Sequence, residues 1–370
     1  MRSFGVEEEL LLVDPGSGDP QAVAGAVLRA PGAEPRSEEG AGVAGELMQQ
    51  QLEIGTSPVE DAAALLEQLR RWRARADEHA RGAAARVAAL ATSPKPVVPR
   101  TTPDERYREI ADLFGVTEAE QLACGMHVHV ATGSEEESVG ALDRVRPWLP
   151  VLTALSVNSP FWQGADTGYA GFRSQLWRRW PCAGSPGPFG SPAAYHALVR
   201  EMVGTGGIVD DGMAYFDVRL ARGHPTLELR VCDVNPRVEV AVLVAVLARG
   251  LVERAARDWS DGTPAPDVSA MTVQLMSFRA ARSGLAGDLV DPRTRRPRPA
   301  AEVVGSLLEH VAEPLADAGD TDLAHEVVGS LLRDGTAADR QRRIAGDDLD
   351  LAEVVRDTVA ITHGEGPARA

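Results

Sequence analysis

The stretch Phe4–Val13, FGVEEELLLV, reads as a β-strand: it alternates loosely, is rich in Leu and Val, and runs into the turn signal Asp14-Pro15-Gly16. Side chains two apart on a strand point the same way, so Glu7 and Glu9 share one face. An edge strand can show such acids to water for no functional reason. Their meaning therefore depends on three further clusters: GELMQQQLEI at Gly45–Ile54, GMHVHV at Gly125–Val130 and TLELR at Thr226–Arg230. Carboxylates and imidazoles of this kind hold hard divalent metals, and an arginine beside them can steady a transferring phosphoryl group.

Each cluster falls on a segment that reads as a strand. Leu122–Ala131 places His127 and His129 on the face opposite Met126, Val128 and Val130, aiming two imidazoles at one spot. Tyr215–Leu220 and Thr226–Cys232 form a hairpin through the loop Ala221–Pro225. Its second strand turns Thr226, Glu228, Arg230 and Cys232 one way and Leu227, Leu229 and Val231 toward a core, while Tyr215, Asp217 and Arg219 share a face of the first. Leu47–Ile54 is a further strand. Glu46 and Glu53 lie seven apart, so both reach one site only if a bulge or bend intervenes.

Between the strands the pattern is helical. Ser57-Pro58-Val59-Glu60 has the form of a capping box, with Leu65, Leu69, Trp72 and Ala76 recurring at helical spacing until Thr92-Ser93-Pro94 stops them. The arginines at 70, 71, 73 and 75 are then a solvated face. Glu136–Ser156 is helical but divided by Pro147 and Pro150, Glu239–Arg257 is a buried helix, and further helices are expected over 301–316, 322–333 and 347–361. Residues 15–43 are rich in Gly, Pro and Ala and read as a loop with one short strand. Trp180–Pro192 and the basic Asp291–Pro299 read as loops. No internal repeat or composition break divides the chain, so residues 1–370 are expected to form one domain.

With 370 residues and 44% hydrophobic content the chain can bury a large core. A net charge of -16 argues against nucleic acid or an anionic membrane as partner. An anionic substrate would need metals or local arginines. Three widely spaced cysteines without a CxxC support neither a disulfide framework nor a zinc ribbon. The N-terminus turns acidic before a signal core can form, and the longest apolar run, Val240–Ala248, is far short of the roughly 20 residues that span a bilayer. A soluble, cytoplasmic enzyme is expected, with a homodimer as the default assembly. No GxxxxGK[ST], strand-borne GxGxxG or GxSxG is present, which excludes a P-loop and a nucleophile elbow.

The order of motifs resembles the short carboxylate–amine ligases related to type 2 glutamate–cysteine ligase. The resemblance runs through GVEEE, ELMQQQLEIGTSP from Glu46, ERY at 105–107, CGMHVHV from Cys124 and NSPFWQGADTGYAGFRSQLW from Asn158. It continues in PTLELRVCDV from Pro225, ARSGL at 281–285 and GTAADRQRR from Gly335. It implies an α+β, glutamine-synthetase-like catalytic fold, a curved and largely antiparallel sheet forming a funnel with helices outside. It also implies ATP and Mg2+ as cofactors, small-molecule carboxylate and amine substrates, and amide formation through an acyl phosphate. Weak ligation of glutamate to cysteine belongs to that reading, with the physiological pair left open.

Carried residue by residue, the resemblance makes Glu7, Glu9, Glu46, Glu53, His127 and Glu228 metal ligands and Arg230 the catalytic arginine. His129 and Arg282 become candidates for the nucleotide, and Arg173 and Arg219 for a substrate carboxylate; each arginine also fits an ordinary ion pair. Two other readings compete. One is a metal-dependent hydrolase built on the His-x-His strand, although histidines 79, 196, 224, 310, 325 and 363 show no ligand spacing; the other is a noncatalytic ligand-binding member of the same fold.

Overall fold

The computed structural model of the chain, which describes residues 1–38 and 40–365, places FGVEEELLLV near the middle of an antiparallel sheet. The sheet's seven strands are β1 (Phe4–Val13), β2 (Gly42–Gly45), β3 (Gln51–Gly55), β4 (Arg86–Ala88), β5 (Gly125–Ala131), β6 (Val218–Leu220) and β7 (Thr226–Asp233). Their order is β2-β3-β1-β5-β7-β6, with β4 pairing the end of β1. The sheet is open rather than closed, and helices surround it, as expected for an α+β fold. None of the described helices is long and apolar enough to cross a membrane.

Register explains why distant motifs meet. Glu9 lies opposite Glu53, Glu7 opposite His127, His129 opposite Glu228, and Glu228 opposite Arg219. Directly opposed residues on a face sit about 4.5–5.5 Å apart at Cβ, so four neighbouring strands and β6 lay one row of polar side chains across the sheet. Apart from Glu8, the other face is apolar: Phe4, Val6, Met126, Val128, Leu227 and Leu229 are buried in one cluster with the helices α3 (Glu135–Val145) and α4 (Val238–Ser260). The run Val240–Ala248 of α4 is at most 1% exposed. Each fully buried Val or Leu contributes about 1.5–3 kcal/mol, so this helix anchors the sheet.

The long helix α1 (Ala62–Gly82) starts and stops elsewhere than the spacing suggests. Its N-cap is Asp61, whose carboxylate accepts from the Ala64 N–H; Val59 is held extended by paired backbone bonds with Phe4, so Ser57 is no cap. It ends at Gly82, ahead of Ala84 at a φ of 57°, and the chain returns as β4. Leu65, Leu69, Trp72 and Ala76 are its buried stripe, as their spacing predicts. Arg73, however, is not solvated: it is 1% exposed and meets Glu8, which the strand's alternation turns to the side away from Glu7 and Glu9.

Other boundaries shift for local reasons. Pro147 and Pro150 divide the helix after Glu135, giving α3, a single 3-10 turn and a helix over Leu149–Ser156. The expected strand at 47 begins only at Gln51, because residues 46–50 form the turn between β2 and β3. That turn supplies the bend that Glu46 and Glu53 required. On β7 the expected alternation breaks after Arg230, where a bulge sets two residues against His127; Cys232 then joins the core opposite Met126, and Val231 is only partly buried at its margin. Asp291–Pro299 includes a strand, Pro297–Pro299, paired to Asp288–Val290. The helix expected over 301–316 breaks at Val311, and helices including Ala24–Leu28, Glu105–Phe114, Pro192–Gly204, Ala270–Ser283 and Ala337–Ala345 join those expected.

Candidate active site

The polar row floors a cavity of about 210 Å3 lined by Glu7, Glu9, Glu46 and Glu53 together with His127, Arg219 and Arg230. Nδ1 of His127 is 3.2 Å from Glu7 Oε2, its Nε2 is 3.7 Å from Glu9, and Nε2 of His129 is 3.4 Å from Glu7 Oε1. Glu9 accepts from the backbone N–H of Gly125 at 2.5 Å. Glu228 is gripped by Arg219, Nε to Oε2 at 2.6 Å, and by Arg230 through Nη1. Two sets of donor atoms, Glu7 with Glu53 and His127, and Glu7 with His129 and Glu228, each lie within 4.8 Å of one another. Glu7 joins the two sets.

Electrostatics separates the acids into two kinds. Burial pushes Glu7 and Glu228 upward, but their neighbours win: hydrogen bonds from His127 and His129 and the charges of His129 and Arg36 hold Glu7 well below the usual carboxylate range, and the charges of Arg230 and Arg219 do the same for Glu228. Glu46 and Glu53 have too little compensation. Burial raises Glu46 to about 7, with the charge of Glu9 adding to it, and lifts Glu53 well above its ordinary value, with Glu7 and Glu46 adding. Burial and Arg230 lower His127, whereas Glu7 outweighs burial at His129 and raises it. Glu46 and Glu53 thus favour the proton-bearing form, while Glu7 and Glu228 stay ionised beside Arg36, Arg219 and Arg230.

Two of the candidate arginines are placed outside the cavity. Arg173 is 2% exposed, with its guanidinium near the carbonyl of Arg230 and packed so tightly on Gly125 that an added Cβ there would sit 2.0 Å from Nη2. Glycine is required at 125 for that reason. Arg282 lies 5.4 Å over the Tyr169 ring, in a separate aromatic cluster with Phe172 and Phe278.

The family model of glutamate-cysteine ligase family 2 matches residues 3–357. The chain belongs to that family. It is 51% identical over 365 residues to the protein named "Putative glutamate--cysteine ligase 2-1" of Streptomyces avermitilis, covering 98% of this chain and 100% of the relative. It is 48% identical to "Putative glutamate--cysteine ligase 2" of Streptomyces coelicolor, covering 98% and 99%. The solved structure of glutamate–cysteine ligase from Francisella tularensis in complex with AMP superposes with a TM-score of 0.69 over 100% of this chain and 89% of that one. At 12% identity that likeness concerns the fold. The family ligase is thus an ATP-dependent carboxylate–amine ligase, and the hydrolase reading is not favoured.

The structure adds residues to this ligase's cavity that the motifs did not single out. Arg36, from the loop before β2, bridges Glu7 and Glu53 as a side-chain ion pair to each. Only its charge hinted at this, since a loop has no period to fix where a side chain points. Tyr107 of the helix Glu105–Phe114, with Trp177, Trp180 and Tyr215, supplies an aromatic wall. Tyr107 stands in the ERY motif, and the two tryptophans flank the arginines at 178 and 179, so spacing gave a place but no role.

Proposed function

We propose that the ligase transfers the γ-phosphoryl group of ATP to a carboxylate, with the side chain of glutamate as the first candidate, and that an amine then displaces phosphate from the acyl phosphate. The observation that carries this reading is the register: Glu228 and Arg230 stand on β7 directly beside the row of acids and imidazoles on β1, β3 and β5. Arg230 is positioned to neutralise charge on the phosphoryl group in transit. Glu228, ionised and held by Arg219, fixes the arginine's direction.

The donor set fits Mg2+. It is dominated by carboxylate oxygens, as a hard cation prefers, and the buried Nε2 atoms of His127 and His129 have no hydrogen-bond partner among the described residues. Glu7, Glu9, Glu46, Glu53, His127 and Glu228 would hold the metal, which when bound neutralises the phosphate oxygens of ATP. His129, beside Glu7 and Thr226, is assigned to the phosphate side of the same row. Arg219 is committed to Glu228, and Arg173 and Arg282 lie outside the cavity.

Metal binding in this reading has a defined pH dependence. A carboxyl whose folded pKa is raised stabilises the fold below its unfolded value, and that stability is lost as pH rises through the folded value. For Glu46 the window runs from 4.5 to about 7. Divalent cation binds the ionised acids and adds stability over the same window. The difference in melting temperature between excess Mg2+ and EDTA is therefore expected to widen as pH rises from about 5 to about 8; a difference independent of pH would remove these acids from the cation's shell.

Activity is tested by mixing MgATP with single carboxylates and amines and measuring ADP. Release that requires the carboxylate supports the proposal. Amide cleavage in the absence of ATP would support the hydrolase instead.

A further inference from the structure

Arg173 is a buried cation whose place stability does not explain. It opens the short helix Arg173–Trp177, and its guanidinium joins no ion pair among the described residues. Nη1 and Nη2 both donate to one acceptor, the carbonyl of Arg230, at 3.5 and 3.4 Å. Asp217 and Asp233 feel its charge only from outside ion-pair range. Arg73, equally buried, has Glu8 as its counter-charge. Taking a cation out of water without such a partner destabilises a fold, so the group is expected where function requires it.

The acceptor gives the reason. On β7 the Arg230 N–H donates to the Asp217 carbonyl at 2.9 Å. A hydrogen-bonded antiparallel pair would return the Asp217 N–H to Arg230, but Asp217 donates instead to Gly184, also at 2.9 Å. The carbonyl left over is the one that Arg173 reaches. It stands at the bulge opposite His127, where the ladder is interrupted and the direction of the Arg230 side chain is set.

Arg173 is itself held from several sides. Its backbone N–H donates to Ser159 Oγ at 2.9 Å, and that hydroxyl donates to Asp233, the last residue of β7, at 2.7 Å. Gly125 of β5, by lacking a Cβ, leaves room for Nη2. The residue thus brackets β7 from Asp233 back to Arg230. The Trp177 ring, which lines the cavity, has the guanidinium carbons of Arg230 and Arg173 at 5.5 and 5.7 Å from its centroid. A shift of Arg173 therefore reaches the Arg230 fork through the ring as well as through the backbone.

Resting on the reading above, in which Arg230 meets the phosphoryl group, we propose that Arg173 is a positioning residue for the ligase reaction. Its forked donors replace the missing ladder bond at the bulge and so aim Arg230 into the cavity. Arg173 touches neither substrate nor nucleotide.

Single and paired variants test this by steady-state kinetics. Arg173→Met is expected to lower kcat about thirtyfold with KM for MgATP and for the carboxylate within about twofold of the parent, since a misplacement of about 1 Å costs up to about 10^2 in rate. Arg173→Lys keeps the charge without the fork and is expected to lose about tenfold. In the Arg230→Ala background neither change is expected to lower kcat by more than about a further twofold, because the group being aimed is gone. Circular dichroism accompanies each variant, and Arg173→Lys carries the same comparison if Arg173→Met does not fold. Three results overturn the inference: a loss that persists undiminished in the Arg230→Ala background, a rise of about tenfold in KM for the carboxylate with kcat held, or a lysine variant as active as the parent. The first of these, with a large loss at Arg230→Ala itself, leaves the role of Arg230 standing. Near-normal turnover of Arg230→Ala overturns that role and this inference with it.

Discussion

Arg230→Ala is expected to lower turnover by about a thousandfold or more while the protein stays folded. A positive group aimed at a transferring phosphoryl is worth about 10^3–10^5 in rate, because it meets charge that is redistributed in the transition state. The fold tolerates the change because Glu228, which is buried at 2% exposure, keeps its second partner, Arg219, at 2.6 Å. Arg230→Lys keeps the charge but loses the planar fork that also reaches over Trp177, and is expected to recover only part of the rate. Steady-state kinetics with circular dichroism on the same samples checks this. Turnover within about threefold of the parent would remove Arg230 from the chemistry.

The second large effect is on stability and lies on the opposite side of β1. Glu8 is 0% exposed and receives both Nε and Nη2 of Arg73 at 2.7 and 2.6 Å, while the same guanidinium donates to the carbonyls of Asn235 and Pro236 at 2.7 and 2.9 Å. This one side chain ties α1 to the first strand and to the segment leading into α4. Arg73→Ala leaves a buried, unpaired carboxylate and is expected to cost about 3–5 kcal/mol, a large part of the roughly 5–15 kcal/mol that holds a domain folded. Urea unfolding gives the number. The double variant Arg73→Met with Glu8→Leu is expected to be far less destabilised, because neither charge is then left unpaired; equal destabilisation of the two would mean packing, not charge, is at stake.

Arg73 also marks the limit of what a period can convey. For the arginines at 70, 71, 73 and 75 of α1, spacing alone assigns all to solvent; only the third dimension reveals that Arg73 meets an acid on the hidden face of β1. The opposite holds for Glu7, Glu9, His127, Glu228 and Arg230, for which strand alternation alone gives the correct face. Strands carry that information because a period of two leaves one choice per side chain. Glu46 and Glu53 lie between these cases: their spacing demands a bend, and the turn at 46–50 provides one. Cys232 was misplaced because a bulge changes the period without marking the sequence. Arg36, on an irregular loop, has no periodic signal at all, yet it bridges Glu7 and Glu53 at the centre of the row.

Label transfer tests the central claim most directly. With both oxygens of the substrate carboxylate enriched in 18O, turnover in MgATP and a competent amine is followed by mass spectrometry of the released phosphate. Attack of the carboxylate on the γ-phosphorus predicts one 18O in each inorganic phosphate formed, with ADP unlabelled. Unlabelled phosphate, or label appearing in AMP, would contradict phosphorylation of the carboxylate at this site.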